Sequence, residues 1–468
     1  MKSDKLIKTL LCAFFISVLY TLLTFSASAL EYRDDLKIKV GLEFGPTSPA
    51  EATFTSEEGF RAVSFNEETY ETELLFETAQ PMLTVKNVNG IATVYIPDGT
   101  EVFRSSDNTL YLMAISGSMQ YLEKTYLEVM KIFCKDGLMR VINIVSFENY
   151  LKGVLPREIY PSWPEEALKT AAIAARTFGL YSLGGKHTKY GIDVCTTTCC
   201  QVYGGNGANE HPATNAAIDA TKNIILAYNG KVAMAVYTSS AGYTTESSSG
   251  AWGGSQELHP YLCGVDTPHE TPEKYSNGTW SNTVANSDVL AYIDSKSSYS
   301  GKLKDTIASI VIEYADNGYG RKITVTDTSG NSVSAKNSDG VRGMLSKFAK
   351  SAKVTVLPNY ETEDATVSVL TADGVCTTSE VPKSAYVLRA DSEVPSILFN
   401  GSPYPISFTI SGTGWGHGVG LSQFGTMTLA KNGKTHTEIL SLYYPGTYLT
   451  TIGELGAQQK EQQQQQNP

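Results

Sequence analysis

Apolar positions change their period along this 468-residue chain, and each change marks an element. Between Glu31 and about Tyr126, short runs alternate apolar and polar residues, the two-residue period of half-buried strands. Leu83 to Ile96, LTVKNVNGIATVYI, alternates on both sides of Asn89-Gly90, a dipeptide suited to a two-residue hairpin turn, and Pro97-Asp98-Gly99 closes the second strand. The same pattern predicts hairpins at Leu127 to Val145, turning at Asp136-Gly137, and at Ile224 to Tyr237, turning at Asn229-Gly230. A strand-rich segment, Asp305 to Ala335, turns at Ser329-Gly330, and Ile406 to Ser411 reads as a further strand.

Between the second and third hairpins the period becomes helical. Leu168, Ala171, Ala172, Ala175, Phe178 and Gly179 share one face, and small side chains there let another element come close. Ser162 followed by Glu165 reads as a capping box, Pro164 fits the first turn, and Gly184-Gly185 supplies the stop, so a helix is expected from about Pro164 to Leu183. Lys169 and Arg176 stand on another face, roughly 10 Å apart along the axis. Glu158 is expected in the loop feeding this helix. A short helix, about Leu421 to Lys431, should end at Asn432-Gly433.

The resulting fold class is α+β, with β-rich hairpins packed around a central capped helix. The first 30 residues read as a separate unit: Met1 to Lys8 is basic, Thr9 to Leu30 is uncharged, and Ala27-Ser28-Ala29 is a small-residue end, the pattern of a secretory signal peptide or, uncleaved, a membrane anchor. Both place the body of the chain outside the cytoplasm. Residues 31–122 form the β-rich leading region, 353–402 read as an insertion, and the glutamine-rich tail within 453–468 is expected to be disordered.

A net charge of −11 argues against nucleic acid as the main partner. Seven cysteines, three of them within Cys195 to Cys200, are too few and too clustered for a disulfide scaffold. His187, Cys195, Cys199 and Cys200 are residue types that bind zinc, and a disulfide from Cys195 to either neighbour is the alternative. Glu158 is flanked by Val154, Leu155, Ile159, Tyr160 and Trp163, so desolvation would raise its pKa toward general-acid work, while a helix amino end nearby would lower it. Glycines at 412, 414, 416, 418 and 420 alternate without the Rossmann spacing, and they carry Trp415 as a stacking face and His417 as a titratable group. There is no G-x-S-x-G elbow and no S-x-x-K, and His269-Glu270 fails as a zinc-protease motif because Glu273 stands where the second histidine belongs.

Several blocks in order carry a resemblance: YLKGVLPREIYPSWPEEALKTAAIAARTF, DVCTTTCCQVYGG, AVYTSSAGYTTESSSGAWGG, PYLCGVD, GTGWGHGVGLSQFG and EILSLYYPGTYL. Together they resemble the SpoIID/LytB family of cell-wall proteins, over a domain expected at 123–452. The resemblance implies a murein lytic transglycosylase acting on glycan strands stripped of their peptides, with a glycan-binding groove and Glu158 as catalytic acid and base. It places Lys169, Arg176, Asp266 and His417 along that groove, together with Gln201, Tyr203, Ser240, Trp252, Trp415 and Gln423 from the matching blocks. It maps the zinc that some members hold onto His187, Cys195 and Cys200. Partners implied are peptidoglycan glycan strands and a cell-wall amidase. The LytB side of the family implies a rival role, an amidase enhancer that binds without cleaving.

Overall fold

The computed structural model describes residues 32–466, apart from 276–277 and parts of 361–403. The expected signal segment, 1–30, lies outside the described residues. The chain is mixed α and β, with several sheets.

The longest sheet runs, in spatial order, Val194–Cys195, Lys37–Glu43, Leu138–Ser146, Lys124–Lys135, Thr109–Tyr121, Glu51–Thr55, Met82–Val88, Ile91–Tyr95, Glu101–Arg104; Phe60–Phe65 and Thr72–Thr78 extend it beside Thr109–Tyr121. The leading strands and the expected Leu127 to Val145 hairpin therefore share one sheet, joined by a tight turn with Leu122 at φ 48° and Glu123 at φ 61°. The three expected two-residue turns form, at φ 53° and 85° for Asn89-Gly90, 51° and 76° for Asp136-Gly137, and 48° and 71° for Asn229-Gly230. Positive φ at both central residues matches the strand twist, which is why Asn, Asp and Gly occupy these positions.

Two helices cover this sheet: α1, Phe147–Glu158, and α2, Glu165–Tyr181. The expected capping box does not form. Pro164 is itself the N-cap residue, its carbonyl accepts from Ala167 and Leu168, and Glu165 bonds Lys169 instead of reaching back. One face of α2 buries Leu168, Ala171, Ala172 and Ala175 in the core that also holds Tyr150, Leu151 and Val154 of α1. Gly153 is required where they cross the next segment, since a Cβ there would lie 2.4 Å from the Tyr203 ring and 2.6 Å from the Gly205 carbonyl.

A second core gathers Val289, Ile293, Ile307, Ile323, Val325, Phe348, Phe408 and Ile410. It underlies the sheet Ile307–Tyr314, Gly320–Asp327, Ser332–Lys336 and the sheet Thr279–Ala285, Ser407–Thr413, Val354–Asn359. Val354–Asn359 pairs along Ser407 to Gly412, so the segment expected as an insertion from 353 begins with a full strand; much of the remainder of that segment lies outside the described residues. The glutamine-rich end differs from expectation too: Ile452–Gln466 is a helix. Ile452 and Leu455 are buried, the Thr451 amide donates to Glu454 at 3.0 Å, and glutamine is a good enough helix former to continue the turn so nucleated.

Arg176, expected in a groove, is fully buried. Its guanidinium donates to Glu148 of α1 at 2.9 and 2.7 Å and to the carbonyls of Ile218 and Ile224 at 3.2 and 3.1 Å. Seven residues from Lys169 is about two turns, and the turn carrying Arg176 is covered by α1 and by the segments of Ile218 and Ile224, whereas Lys169 stays partly exposed. Replacing Arg176 by Met leaves the Glu148 carboxylate unpaired in the interior and is expected to cost about 3–5 kcal/mol of stability. Denaturant unfolding checks this, and Arg176→Met combined with Glu148→Gln should recover part of the loss.

Candidate functional site

Glu158 is the last residue of α1, not a loop residue as expected; Pro156 is accommodated in the final turns, and the Ile159 amide closes the helix on the Leu155 carbonyl at 3.0 Å. The carboxylate points into a cleft of about 210 Å³ walled by Pro156, Tyr160, Trp163, Ser239, Gln423 and Phe424. Behind it lies a tight apolar slot formed by Leu155, Tyr237, Leu421 and the α2 alanines 171, 174 and 175. Those small side chains are what let the carboxylate sink against the helix. Glu158 Oε1 accepts one backbone hydrogen bond, from Val202 at 2.7 Å. Burial raises its pKa above the ordinary carboxylate value, and the Val202 N–H pulls back against that rise. The helix end nearest to it is a carboxyl end, whose partial negative charge also disfavours ionisation.

The rim is aromatic. Trp163 and Phe424 lie 5.2 Å apart, Tyr160 and Trp163 5.4 Å, and Tyr275 stacks on Phe424 at 4.5 Å. Phe424 is the second residue of the Gln423–Lys431 helix, whose N-cap Ser422 accepts from Gly425 at 3.2 Å. The Phe424 amide donates to the Ser239 carbonyl, and Tyr237–Thr238 runs parallel to Leu421–Ser422, so two loops distant in sequence form one wall. Ser239 and Phe424 were not singled out from the sequence; their neighbours Ser240 and Gln423 were, and only Gln423 of that pair lines the cleft.

The other sequence candidates divide into rim and scaffold. Lys169 is partly exposed and paired with Glu165 at 2.7 Å and Glu166 at 3.0 Å. Gln201 is buried under α2, donating to the Ala175 carbonyl and the Tyr237 hydroxyl and accepting from Tyr150. Tyr203 is buried with its hydroxyl between Asn143 and Asn206. Ser240 is buried as well, its hydroxyl donating to Glu270 and its backbone paired with Trp415. These three support the walls and do not face the cleft. Asp266 is exposed, its backbone bridged to Thr244.

In the glycine-rich loop Gly414, Gly416, Gly418 and Gly420 all have positive φ, and a Cβ at Gly418 would meet the Tyr319 hydroxyl at 2.1 Å. The alternation is thus a matter of close packing. Trp415 is 36% exposed with the Lys350 ammonium 5.0 Å from its ring centre. His417 accepts from the Val419 amide at 3.0 Å and lies 5.5 Å from the Trp252 ring; burial, with Arg342 adding, lowers its pKa to about 4. It is neutral at physiological pH and serves the loop's own geometry.

The cysteine turn gathers all four of its expected donors. One ligand atom each from His187, Cys195, Cys199 and Cys200 lies within 4.8 Å of the others, with His187 Nε2 3.7 Å from Cys199 Sγ. Tetrahedral zinc with bonds of about 2.3 Å to sulfur needs donors about 3.8 Å apart, so this set fits the ion after small side-chain shifts. The three thiols are free. Cys195 is drawn down to about 4, chiefly by its hydrogen bond with Cys200, whose thiol is pushed up in turn.

Residues 135–228 match the profile of the family described as Stage II sporulation protein, SpoIID. This span holds Glu158, both helices and the cysteine turn. The chain is 33% identical over 318 residues, 64% of its length, to a protein named amidase enhancer from Bacillus subtilis (strain 168), of whose length it spans 40%. It is 28% identical over 381 residues to an uncharacterized protein of Brachyspira hyodysenteriae, covering 81% of this chain and 84% of that one. It is 25% identical over 320 residues to Stage II sporulation protein D of Bacillus subtilis (strain 168), covering 65% and 75%.

The burial of Glu158 has a thermodynamic signature. A carboxyl with a raised folded-state pKa binds its proton more tightly in the folded chain, so it adds stability below its unfolded pKa and loses that contribution as pH rises through the folded one. Glu158→Gln keeps the shape and the acceptor for Val202 but carries no charge. Relative to the native chain it should gain melting temperature at pH 7, with the gain shrinking toward pH 4. Thermal unfolding across that range measures the difference.

Proposed function

Since this chain belongs to the SpoIID family, we propose that it acts at the bacterial cell wall as a murein lytic transglycosylase, cleaving peptide-free glycan strands to 1,6-anhydromuramic acid ends. The observation that carries this is a single carboxylate, Glu158, among the described residues lining the cleft, half-buried and with its pKa raised. Glycosidases that use water ordinarily need two carboxylates. Here Glu158 in its protonated form donates to the glycosidic oxygen as the anomeric C–O bond breaks, releasing the 4-hydroxyl of the next sugar. The resulting carboxylate then takes the proton of the muramic acid's own C6 hydroxyl as that oxygen bonds the anomeric carbon. The proton count closes and no water enters.

Other acids of this part of the chain are committed elsewhere. Glu165 and Glu166 pair with Lys169, Glu166 also with His436, and Asp193 accepts from the backbone of Lys39 and Gly184. The aromatic rim of Tyr160, Trp163 and Phe424 suits stacking on sugar rings. Zinc held by His187, Cys195, Cys199 and Cys200 would be structural, pinning the turn that leads to Val202 and hence to the amide that bonds Glu158. The basic and apolar first 30 residues favour action outside the cytoplasm, secreted or membrane-anchored, and the names of two relatives favour wall remodelling linked to sporulation. The relative named amidase enhancer favours a second role, binding glycan or a wall amidase without cleavage.

Bare glycan strands incubated with this chain alone in heavy-oxygen water distinguish the cases. Unlabelled anhydro ends are expected, and Glu158→Gln should lower their formation by at least about a thousandfold, the scale of losing a general acid whose job is not shared. Labelled reducing ends would point to a hydrolase, and intact strands to the enhancer role.

Elemental analysis should find about one zinc per chain, and a chelator should lower the melting temperature, because ligand binding adds to folding stability. A metal-free chain with Cys195 in a disulfide would overturn the zinc assignment.

A further inference from the structure

A second groove, of about 480 Å³, opens where the loop after Ser240 meets the end of the strand carrying Tyr314 and the start of Val354–Asn359, just after Lys353. Its lining includes Tyr243, Thr244, Tyr314, Asp316, Lys353 and Thr413, none of which belongs to the Glu158 cleft. Tyr243 stands at φ 77°, a conformation costly for a bulky residue, yet its ring is 41% exposed and so is not repaid by burial. Its hydroxyl is held by the Glu273 carboxylate, 2.6 Å from either oxygen. Tyr314 is 50% exposed, and its hydroxyl donates to the Val354 carbonyl at 2.8 Å. With both hydroxyls occupied, each ring is fixed in place and offers solvent its apolar face.

The floor is equally rigid. Lys353 Nζ donates to the Gly242 and Thr244 carbonyls and to Thr244 Oγ1, above the Tyr319 ring at 4.8 Å. All three of its protons are placed on carbonyl and hydroxyl oxygens, so it holds the floor together and has no free donor to offer an anion. The Asp316 carboxylate is exposed at the rim. Fixed aromatic faces beside a carboxylate acceptor and threonine hydroxyls complement a ring that is apolar on one face and hydroxylated at its edge.

We propose that this groove binds a saccharide, as a second carbohydrate site that shares a wall with the Glu158 cleft. Ser239 lines the cleft and Gly242 lines the groove, three residues apart, so no more than about 11 Å of extended chain separates them. Such a site would hold a strand some sugars away from the bond at Glu158. It rests on the cell-wall role proposed above for the choice of probe, a β-1,4-linked N-acetylglucosamine hexamer.

Calorimetric titration of the hexamer into the full chain, and into Tyr314→Ala and Asp316→Asn, tests this, with a cell-wall stem peptide as a second titrant. Tyr314→Ala should weaken hexamer binding about tenfold, the scale of one lost stacking contact. Asp316→Asn, at an exposed position that leaves the fold intact, should weaken it severalfold, and the stem peptide should not bind. No hexamer binding to the native chain, unchanged affinity in a folded Tyr314→Ala and in Asp316→Asn, or a groove-dependent affinity for the peptide alone would each overturn the proposal. Strand cleavage that survives Glu158→Gln, with hexamer affinity still dependent on Tyr314 and Asp316, would leave the groove standing and remove the enzymatic assignment. Cleavage lost in Glu158→Gln, with hexamer affinity indifferent to both groove variants, would do the reverse.

Discussion

The buried guanidinium of Arg176 is the contact on which the placement of Glu158 depends. It joins α2 to Glu148 at the start of α1 and to backbone carbonyls on later elements, Ile218 and Ile224. A planar group with five donors can satisfy several acceptors at once in a dry interior, which a lysine could not do. Because the first turn of α1 is tied to α2 in this way, the last residue of α1 comes to rest against the alanine face of α2. The ion pair and the cleft are two ends of one helix–helix contact.

At the cleft, opposing effects meet on one carboxylate. Apolar walls and the carboxyl end of α1 favour the protonated form, while the Val202 amide favours the charged one. Under the mechanism proposed for it, the group donates a proton and then takes one back, a task suited to a carboxyl whose two forms are both accessible. The Val202 donor partly offsets the rise caused by burial and also orients the carboxylate. Val202 lies two residues after Cys200, so whatever stiffens the cysteine turn also steadies the donor.

The walls around the cleft come from segments far apart in the chain, and close backbone approach is what lets them meet. Gly414, Gly416, Gly418 and Gly420 each stand at positive φ, and side chains at 416 and 418 would strike Thr238 and Tyr319. This loop and the one through Ser240 pair through the Ser240 and Trp415 backbones. One side of the paired loops faces Glu158 and the other faces the groove beside Tyr314, so the same tight packing shapes both surfaces.

Local signals determined much of this protein. Asn89-Gly90, Asp136-Gly137 and Asn229-Gly230 each demanded a turn with two positive φ values, and each strand pair formed around its turn, because such turns act within a few residues. The helical period of 168–179 marked the buried face of α2, and the grouping of His187 with Cys195, Cys199 and Cys200 was legible because those residues lie within fourteen positions of one another. Tertiary structure alone decided the rest. Ser162 and Glu165 had the spacing of a capping box, but the chain entered the helix through Pro164. Arg176 and Gln201 carry polar groups that sequence assigns to a surface, and both are buried because neighbouring carbonyls and carboxylates, brought from elsewhere in the chain, satisfy them. Ser239 and Phe424 reached Glu158 only through the pairing of Tyr237–Thr238 with Leu421–Ser422, a contact across more than 180 residues that no local period encodes.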